Sequence, residues 1–281
     1  MKPLGRPMAH WMFPLILALQ AQIWAQSSLA AEDYSPDLYD LPARITHMGD
    51  VESLILTMTN DIRHRHGLKK LKRDTSLREV ARIYSDDMIV RDFFAHENPD
   101  GDDAGDRIAV GHRRLIGGVG ENIWQFASSL EIDGRRQPDY IRMSPEETAR
   151  KAMDGWMNSP GHRENILRKT FTHLGVGVSI VRGKVTATQN FGSVRAYTRM
   201  SVPKKVRKGG FLSLETGSFP KSAPRAAKYD YWTEEKDRAV GEIREIGERK
   251  VTVENGIYRI RFYFPVENGY MIYLAPRIEV R

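Results

Sequence analysis

The sequence contains no cysteine among its 281 residues. This absence excludes disulfide bonds, cysteine-ligated zinc sites and thiol nucleophiles. Hydrophobic residues make up 41% of the chain, so a packed core has to provide its stability. The length exceeds the roughly 100–200 residues of a typical single domain. We therefore expect one large domain or two smaller ones.

Long hydrophobic runs are also scarce, and the one candidate lies at the N-terminus. Lys2 and Arg6 precede the apolar run WMFPLILALQAQIWA (Trp11–Ala25), and the small residues SSLAA follow. This order predicts a secretory signal peptide. An uncleaved single-span anchor is the alternative, although Gln20 and Gln22 interrupt a run already shorter than the about 20 apolar residues of a membrane helix. We predict an exported protein, periplasmic or secreted, in a bacterial rather than an animal or plant setting.

The positive charge is concentrated in residues 199–228. This segment holds eight Lys or Arg residues against one acid, Glu215, and the excess equals the net charge of +7 of the whole chain. Its many Pro, Gly and Ser residues predict a solvated linker. The alternative is an electrostatic contact with an anionic envelope surface, either polymer or lipid head group. Nucleic acid is not an expected partner, because the chain is exported and has no recognition motif.

Three segments show the apolar spacing of amphipathic helices. The first ends at Gly67, which supplies a helix stop. The second opens with a capping box formed by Ser76 and Glu79. The third begins at Ser144, with Pro145 at the first helical position. These start and stop signals predict helices in the first two thirds of the chain.

Strand patterns follow the helices. The stretches HLGVGVSIV and KVTATQNFG alternate with period two around Arg182-Gly183, which predicts a β-hairpin. Two Asn-Gly dipeptides, Asn255-Gly256 and Asn268-Gly269, predict hairpin turns in a small three-stranded antiparallel module. Because helices and strands do not alternate regularly, an α+β architecture is favoured over a parallel sheet. The predicted organisation is a signal peptide (1–31), an N-terminal extension (32–49), a main domain (50–198), a basic linker (199–228) and a β-rich C-terminal module (229–281).

Two of the eight histidines lie in segments rich in turn-forming residues. His96 lies in FFAHENPDG and His162 in NSPGHREN, where Ser-Pro-Gly interrupts a helical pattern. A third segment, GGVGENIW, carries Glu121 after three glycines. We expect each of these segments to be a loop. Two neutral imidazoles near a carboxylate suit a divalent transition ion, zinc most readily. Arg107 is interpreted as a residue that anchors a loop.

Five motifs occur together in one order: AHENPDG, GGVGENIW, WMNSPGHRENIL, FTHLGVGV and TQNFG. Over about residues 50–195 the chain resembles the bacterial branch of the CAP superfamily, which includes cysteine-rich secretory proteins, antigen 5 and pathogenesis-related proteins. The resemblance implies a three-layer α–β–α sandwich, here followed by the small antiparallel β module. It also implies a central cleft containing His96, His162 and the acid Glu121. Ser159 stands where eukaryotic members have a second acid, so a three-residue site is expected. Without disulfide-framed loops, sterol binding is not assumed.

The resemblance assigns roles to these residues without fixing a function. His96 and His162 are the expected ligands of a weakly bound divalent cation such as zinc, and His96, Glu121 and His162 form the candidate catalytic set. Glu121 is expected to orient an imidazole rather than to bind metal strongly. Three functions stay open: a ligand-binding module for a lipid, glycan or peptide, a metal-assisted or His/Glu-based hydrolase of envelope peptides or glycans, and a structural envelope protein.

Overall fold

The computed structural model describes seven stretches of the chain, which belong to one compact unit: residues 46–127, 129–132, 135–138, 143–181, 184–217, 223–233 and 237–281. The predicted signal peptide, most of the N-terminal extension and the turn at Arg182-Gly183 lie outside these stretches. No helix in the described stretches is long and apolar enough to cross a membrane.

The described residues form five helices and twelve strands. The helices are α1 (Gly49–Arg65), α2 (Thr75–Val90), α3 (Ala104–Gly111), α4 (Pro145–Asn158) and α5 (Pro160–Leu167). The first seven strands are β1 (Thr46–His47), β2 (Lys72–Arg73), β3 (Leu115–Ala127), β4 (Ser129–Ile132), β5 (Arg135–Pro138), β6 (His173–Val181) and β7 (Lys184–Tyr197). The remaining strands are β8 (Lys205–Val206), β9 (Lys228–Thr233), β10 (Arg238–Glu245), β11 (Gly256–Val266) and β12 (Gly269–Val280).

A central sheet lies between two helical layers. Its strands run in the order β1-β6-β7-β3, and β2 pairs in parallel with β6. Helices α1, α4 and α5 bury Ile55, Trp156 and Ile166 against one face. Helices α2 and α3 bury Leu77 and Ile108 against the other face. The arrangement confirms the α–β–α sandwich, and the pairing of β6 with β7 confirms the predicted hairpin.

Strand β6 alternates valine and glycine because α2 lies against one of its faces. The valines are buried in the core shared with α1 and α4. A Cβ atom placed on Gly175 would lie 2.1 Å from the backbone nitrogen of Arg78, and one on Gly177 would lie 2.2 Å from that of Arg82. Only glycine permits so close an approach between a strand and a helix backbone.

The predicted helix starts are partly right. Ser144 caps α4 as predicted, since its hydroxyl oxygen accepts a hydrogen bond of 3.1 Å from the amide of Glu147. The capping box at Ser76 is wrong. The cap of α2 is Asp74, whose Oδ1 accepts a hydrogen bond of 3.0 Å from the amide of Leu77. The helix therefore begins two residues earlier than predicted, because the carboxylate of Asp74 satisfies a free backbone donor of its first turn.

The C-terminal module contains five strands rather than three, in the order β10-β9-β11-β12-β8. The hairpin predicted near Asn268-Gly269 is confirmed, since β11 pairs with β12. Its two turn residues are Glu267 and Asn268, one position earlier than predicted, because Gly269 (φ +129°) already pairs with Val266. The hairpin predicted at Asn255-Gly256 is wrong. There β11 simply begins, and its second neighbour in the sheet is β9, which comes from well before this dipeptide.

The described part of residues 199–228 is not a solvated linker. Val202, Leu212, Leu214 and Ala226 are buried in the core of the C-terminal sheet. Strand β8 pairs in parallel with β12. The prediction was wrong because it was based on the Pro, Gly and Ser content. The apolar residues of the segment are widely spaced, and their packing partners lie in the C-terminal sheet, far along the sequence.

Candidate functional site

His96 lies in the loop between α2 and α3, as predicted. The loop is shaped by the buried Asn98, whose Oδ1 accepts hydrogen bonds from the amides of Asp100 (3.0 Å) and Asp102 (2.8 Å). An Asn side chain that bonds to backbone amides in this way stabilises a tight turn. The side chain of His96 is 56% exposed, so its ring is accessible from solvent.

Glu121 lies on strand β3, and the loop predicted for its segment is wrong. It pairs with Asn190 of β7, and its side chain is 3% exposed. The preceding Gly120 is part of the same strand, and a Cβ atom there would lie 2.7 Å from the ring of Phe171. The glycines of this segment therefore allow close packing within a sandwich rather than a loop.

Both carboxylate oxygens of Glu121 have partners. Oε1 lies 2.9 Å from Nδ1 of His96, and Oε2 accepts a hydrogen bond of 2.7 Å from Nη2 of Arg107. An ionised carboxylate can only accept, so Nδ1 of His96 carries the hydrogen. In the neutral ring this leaves Nε2 as the nitrogen with a free lone pair, available to a metal ion or a proton.

Arg107 of α3 is buried and joins the parts of the site. Its Nη1 donates to the carbonyl oxygens of His96 (3.0 Å) and Asp102 (2.6 Å). Its guanidinium carbon lies 3.3 Å from the centre of the Tyr84 ring. Arg107 thus anchors the loop, as predicted. It also holds Glu121 in place, a contact that was not predicted from the sequence.

His162 lies in the first turn of a helix, so the predicted loop is wrong here too. Helix α4 ends at Asn158, Ser159 adopts an extended conformation, and Pro160 begins α5. Proline favours the first position of a helix, so the chain restarts instead of leaving the helical conformation. The rings of His162 and His96 lie 6.0 Å apart between centroids, at an angle of 58°. Burial, and secondarily the neighbouring His96, lowers the pKa of His162, which favours the neutral imidazole.

Hydrogen bonds from three side chains hold α5 in position. Nδ2 of Asn122 donates to the carbonyl oxygen of His162 (3.0 Å), and Nδ2 of Asn165 donates to that of Glu121 (3.1 Å). The buried Arg63 of α1 donates to two carbonyl oxygens around the C-terminal end of α5. Both histidines are therefore held by neighbouring residues of β3, His96 by Glu121 and the backbone of His162 by Asn122. Helix α1 holds the other end of α5.

The spacing of the His96 and His162 rings is short enough for both to bind one metal ion. When two imidazoles bind the same zinc ion with zinc–nitrogen distances of about 2.0–2.1 Å, their ring centroids lie within about 6.5 Å of each other. His96 and His162 meet this condition at 6.0 Å. Both oxygens of Glu121 are already hydrogen-bonded, one to His96 and one to Arg107. Within the described stretches, no group of three or more His, Cys, Asp or Glu side chains is arranged to hold a metal ion.

A groove of about 540 Å³ lies along α5. Met157, Pro160 and Leu167 provide its apolar lining. Arg163 contributes a positive charge, whereas Arg168 forms an ion pair of 2.8 Å with Glu164, which also lines the groove. The two site histidines and Glu121 do not line this groove, so it is a separate depression that shares α5 with the site.

Comparisons with known proteins match the same part of the chain. Residues 56–191 match the family model described as the cysteine-rich secretory protein family, CAP. The chain is 36% identical over 140 residues to the uncharacterized membrane protein YlbC of Bacillus subtilis, covering 50% of this chain and 34% of that protein. It is 32% identical over 141 residues to the uncharacterized protein YkwD of the same organism, covering 50% and 47%.

Among solved structures, the chain is similar to an extracellular protein containing a SCP domain from Bacillus anthracis. The identity is 32%, the match covers 58% of this chain and 45% of that chain, and the TM-score is 0.39. The chain therefore spans less than half the length of each of these three relatives. The matched residues 56–191 include His96, Glu121 and His162.

Proposed function

The chain belongs to the CAP superfamily, and from that premise we propose that it is an exported ligand-binding protein whose site is formed by His96, Glu121 and His162. Export is supported by the signal-peptide pattern of the first residues. Ligand binding is supported by a site that combines an accessible ring with rigid, buried partners. The relatives are much longer than the part that this chain matches. The proposal therefore does not include any activity of those whole proteins.

One observation carries the proposal: Nδ1 of His96 lies 2.9 Å from Oε1 of Glu121. This contact fixes the orientation of the ring and leaves its Nε2 available to a ligand. His96 and His162 would hold a divalent cation such as zinc, which would supply a Lewis acid for an oxygen atom of the ligand. Glu121 and Arg107 would keep the His96 ring in one orientation. Because only two protein ligands are available, we expect weak binding.

The test is titration of zinc into the full chain by calorimetry. We expect one zinc site in the wild-type protein and its loss in His96→Ala and in His162→Ala. The matched control is His64→Ala, which removes an exposed histidine of α1. Wild-type protein without a zinc site, or unchanged affinity in both site variants, would refute the metal-binding part of the proposal.

The groove along α5 is separate from the site at His96, and we propose it as a second place where one of the three ligand classes binds. An apolar lining beside Arg163, with Arg168 paired to Glu164, suits an amphiphile with an anionic head group. We therefore favour a lipid over a glycan or a peptide. The probe is a fluorescent fatty acid, which Arg163→Glu should bind more weakly than wild type does. Equal binding by the variant would rule out this groove as the lipid site.

A hydrolase is the second candidate, because a carboxylate bonded to an imidazole is the arrangement that orients a general base. The assay is release of soluble fragments from peptidoglycan and from casein, with and without a chelator. Glu121→Gln should reduce turnover on the active substrate by roughly 100-fold, the size of effect ascribed to general-base catalysis. Wild-type protein that cleaves neither substrate removes this candidate.

A further inference from the structure

Two neighbouring residues of helix α3 make different contacts. Arg107 contacts the candidate site, and Asp106, which precedes it, contacts the C-terminal sheet. Arg107 binds Glu121, as described above. The adjacent Asp106 accepts at Oδ1 from Nη2 of Arg259 at 2.9 Å and lies 2.8 Å from Nη2 of Arg277. Arg259 belongs to β11 and Arg277 to β12. Two consecutive residues therefore connect the C-terminal sheet to the site.

The other end of α3 has the same neighbour. Arg113 follows the helix, and its Nη1 donates to the carbonyl oxygen of Ala109 at 2.8 Å. Its Nη2 donates to the carbonyl oxygens of Arg277 (2.6 Å) and Pro203 (2.9 Å). Both ends of this eight-residue helix are thus bonded to residues that follow the central sandwich.

We propose that Asp106 is a positioning residue for the candidate site: through Arg259 and Arg277 the C-terminal sheet fixes α3, and α3 fixes Arg107 against Glu121. The proposal rests on the function proposed above. The bonds that Arg107 makes to Glu121 and to the loop carbonyls are 2.6–3.0 Å long. A shift of α3 by about 1 Å would lengthen them beyond hydrogen-bonding distance.

The environment of Asp106 explains why its partners matter. Its side chain is 15% exposed, and burial raises the pKa of Asp106 although the two arginines oppose this. The two arginines face this carboxylate from β11 and β12. Removing it therefore leaves two arginines of the sheet without their shared acceptor on α3, and the helix loses this contact with the sheet.

The first readout is independent of metal. In metal-free full-length protein, ¹H–¹⁵N NMR of the histidine rings should show a protected Nδ1 proton on His96, assigned by its absence in His96→Gln. We expect this signal to be lost in Asp106→Ala and restored in Asp106→Glu, which keeps the charge. Glu254→Ala is the control, since it removes the exposed ion pair with Lys208 elsewhere in the chain. A signal that persists in folded Asp106→Ala overturns the proposal.

The second readout is zinc affinity by calorimetry. Loss of a residue that orients a metal ligand typically costs 10–100-fold in affinity, so we expect about tenfold weaker binding in Asp106→Ala and wild-type affinity in Asp106→Glu. If Asp106→Ala does not fold, Asp106→Asn takes its place, with the same two expected losses and the same refuting result. Wild-type protein that binds no zinc refutes the metal-binding part of the proposed function, while the ring signal still decides the role of Asp106.

Discussion

Replacing Glu121 with alanine leaves the buried Arg107 without its carboxylate. Their closest atoms are 2.7 Å apart, with 3% and 8% of the side chains exposed. Removing one partner of a buried ion pair costs about 3–5 kcal/mol. Arg107 keeps its two carbonyl acceptors, so we expect about 3 kcal/mol for Glu121→Ala. Glu121→Gln keeps an acceptor oxygen and should cost about 1–2 kcal/mol.

Urea denaturation of the full chain at neutral pH measures both free energies of unfolding. The control is Glu97→Ala, which removes an exposed acid next to His96 in the same loop and should change stability by less than about 0.5 kcal/mol. The double variant Arg107→Met/Glu121→Leu should be more stable than Glu121→Ala, because no buried charge is left unpaired. A loss below about 1 kcal/mol in Glu121→Ala would refute the reasoning that the pair is buried and coupled.

Three further outcomes are expected. Burial acts to raise the pKa of Asp74, but hydrogen bonds led by that of His112 outweigh it and lower the pKa. The stabilisation is therefore present above the ordinary value of 3.8 and is lost as the pH falls below it, so in urea denaturation the advantage over Asp74→Asn should shrink between neutral pH and about pH 3. Gly175→Ala should cost about 1–3 kcal/mol or prevent folding, because its Cβ would meet the backbone of α2, while Gly161→Ala, with nothing within 4 Å, should be neutral or stabilising in thermal melts. If the basic residues 199–228 contact an anionic envelope surface, sedimentation with phosphatidylglycerol vesicles should weaken as salt increases, and salt-independent binding would refute an electrostatic contact.

The helices predicted from the sequence are those long enough to show apolar spacing over several turns. Helices α1, α2 and α4 have 14 to 17 residues, enough for several turns of apolar spacing. Helices α3 and α5 have eight residues each, too few for the periodicity to stand out. Strand β3 was missed because glycine is rare in strands. Its pairing with β7 is a contact between distant segments, which the local sequence does not contain.

The residues of the site were easier to predict than their surroundings. His96, Glu121 and His162 come together in the structure, while their chemical roles stay predictions. The predicted loop conformation is wrong for two of the three residues, since Glu121 is on a strand and His162 is on a helix. The contact between Arg107 and Glu121 was not predicted, because α3 itself was not recognised.

The core of the C-terminal sheet contains two residues of the central sandwich. Ile116 of β3 and Ala196 of β7 are fully buried in that core, together with side chains such as Phe262 and Phe264. A chain cut after residue 198 would expose both residues to water along one margin of the sandwich. We therefore expect the sandwich alone to be less stable than it is in the full chain, and grafting it onto another protein would require a substitute cover for that margin.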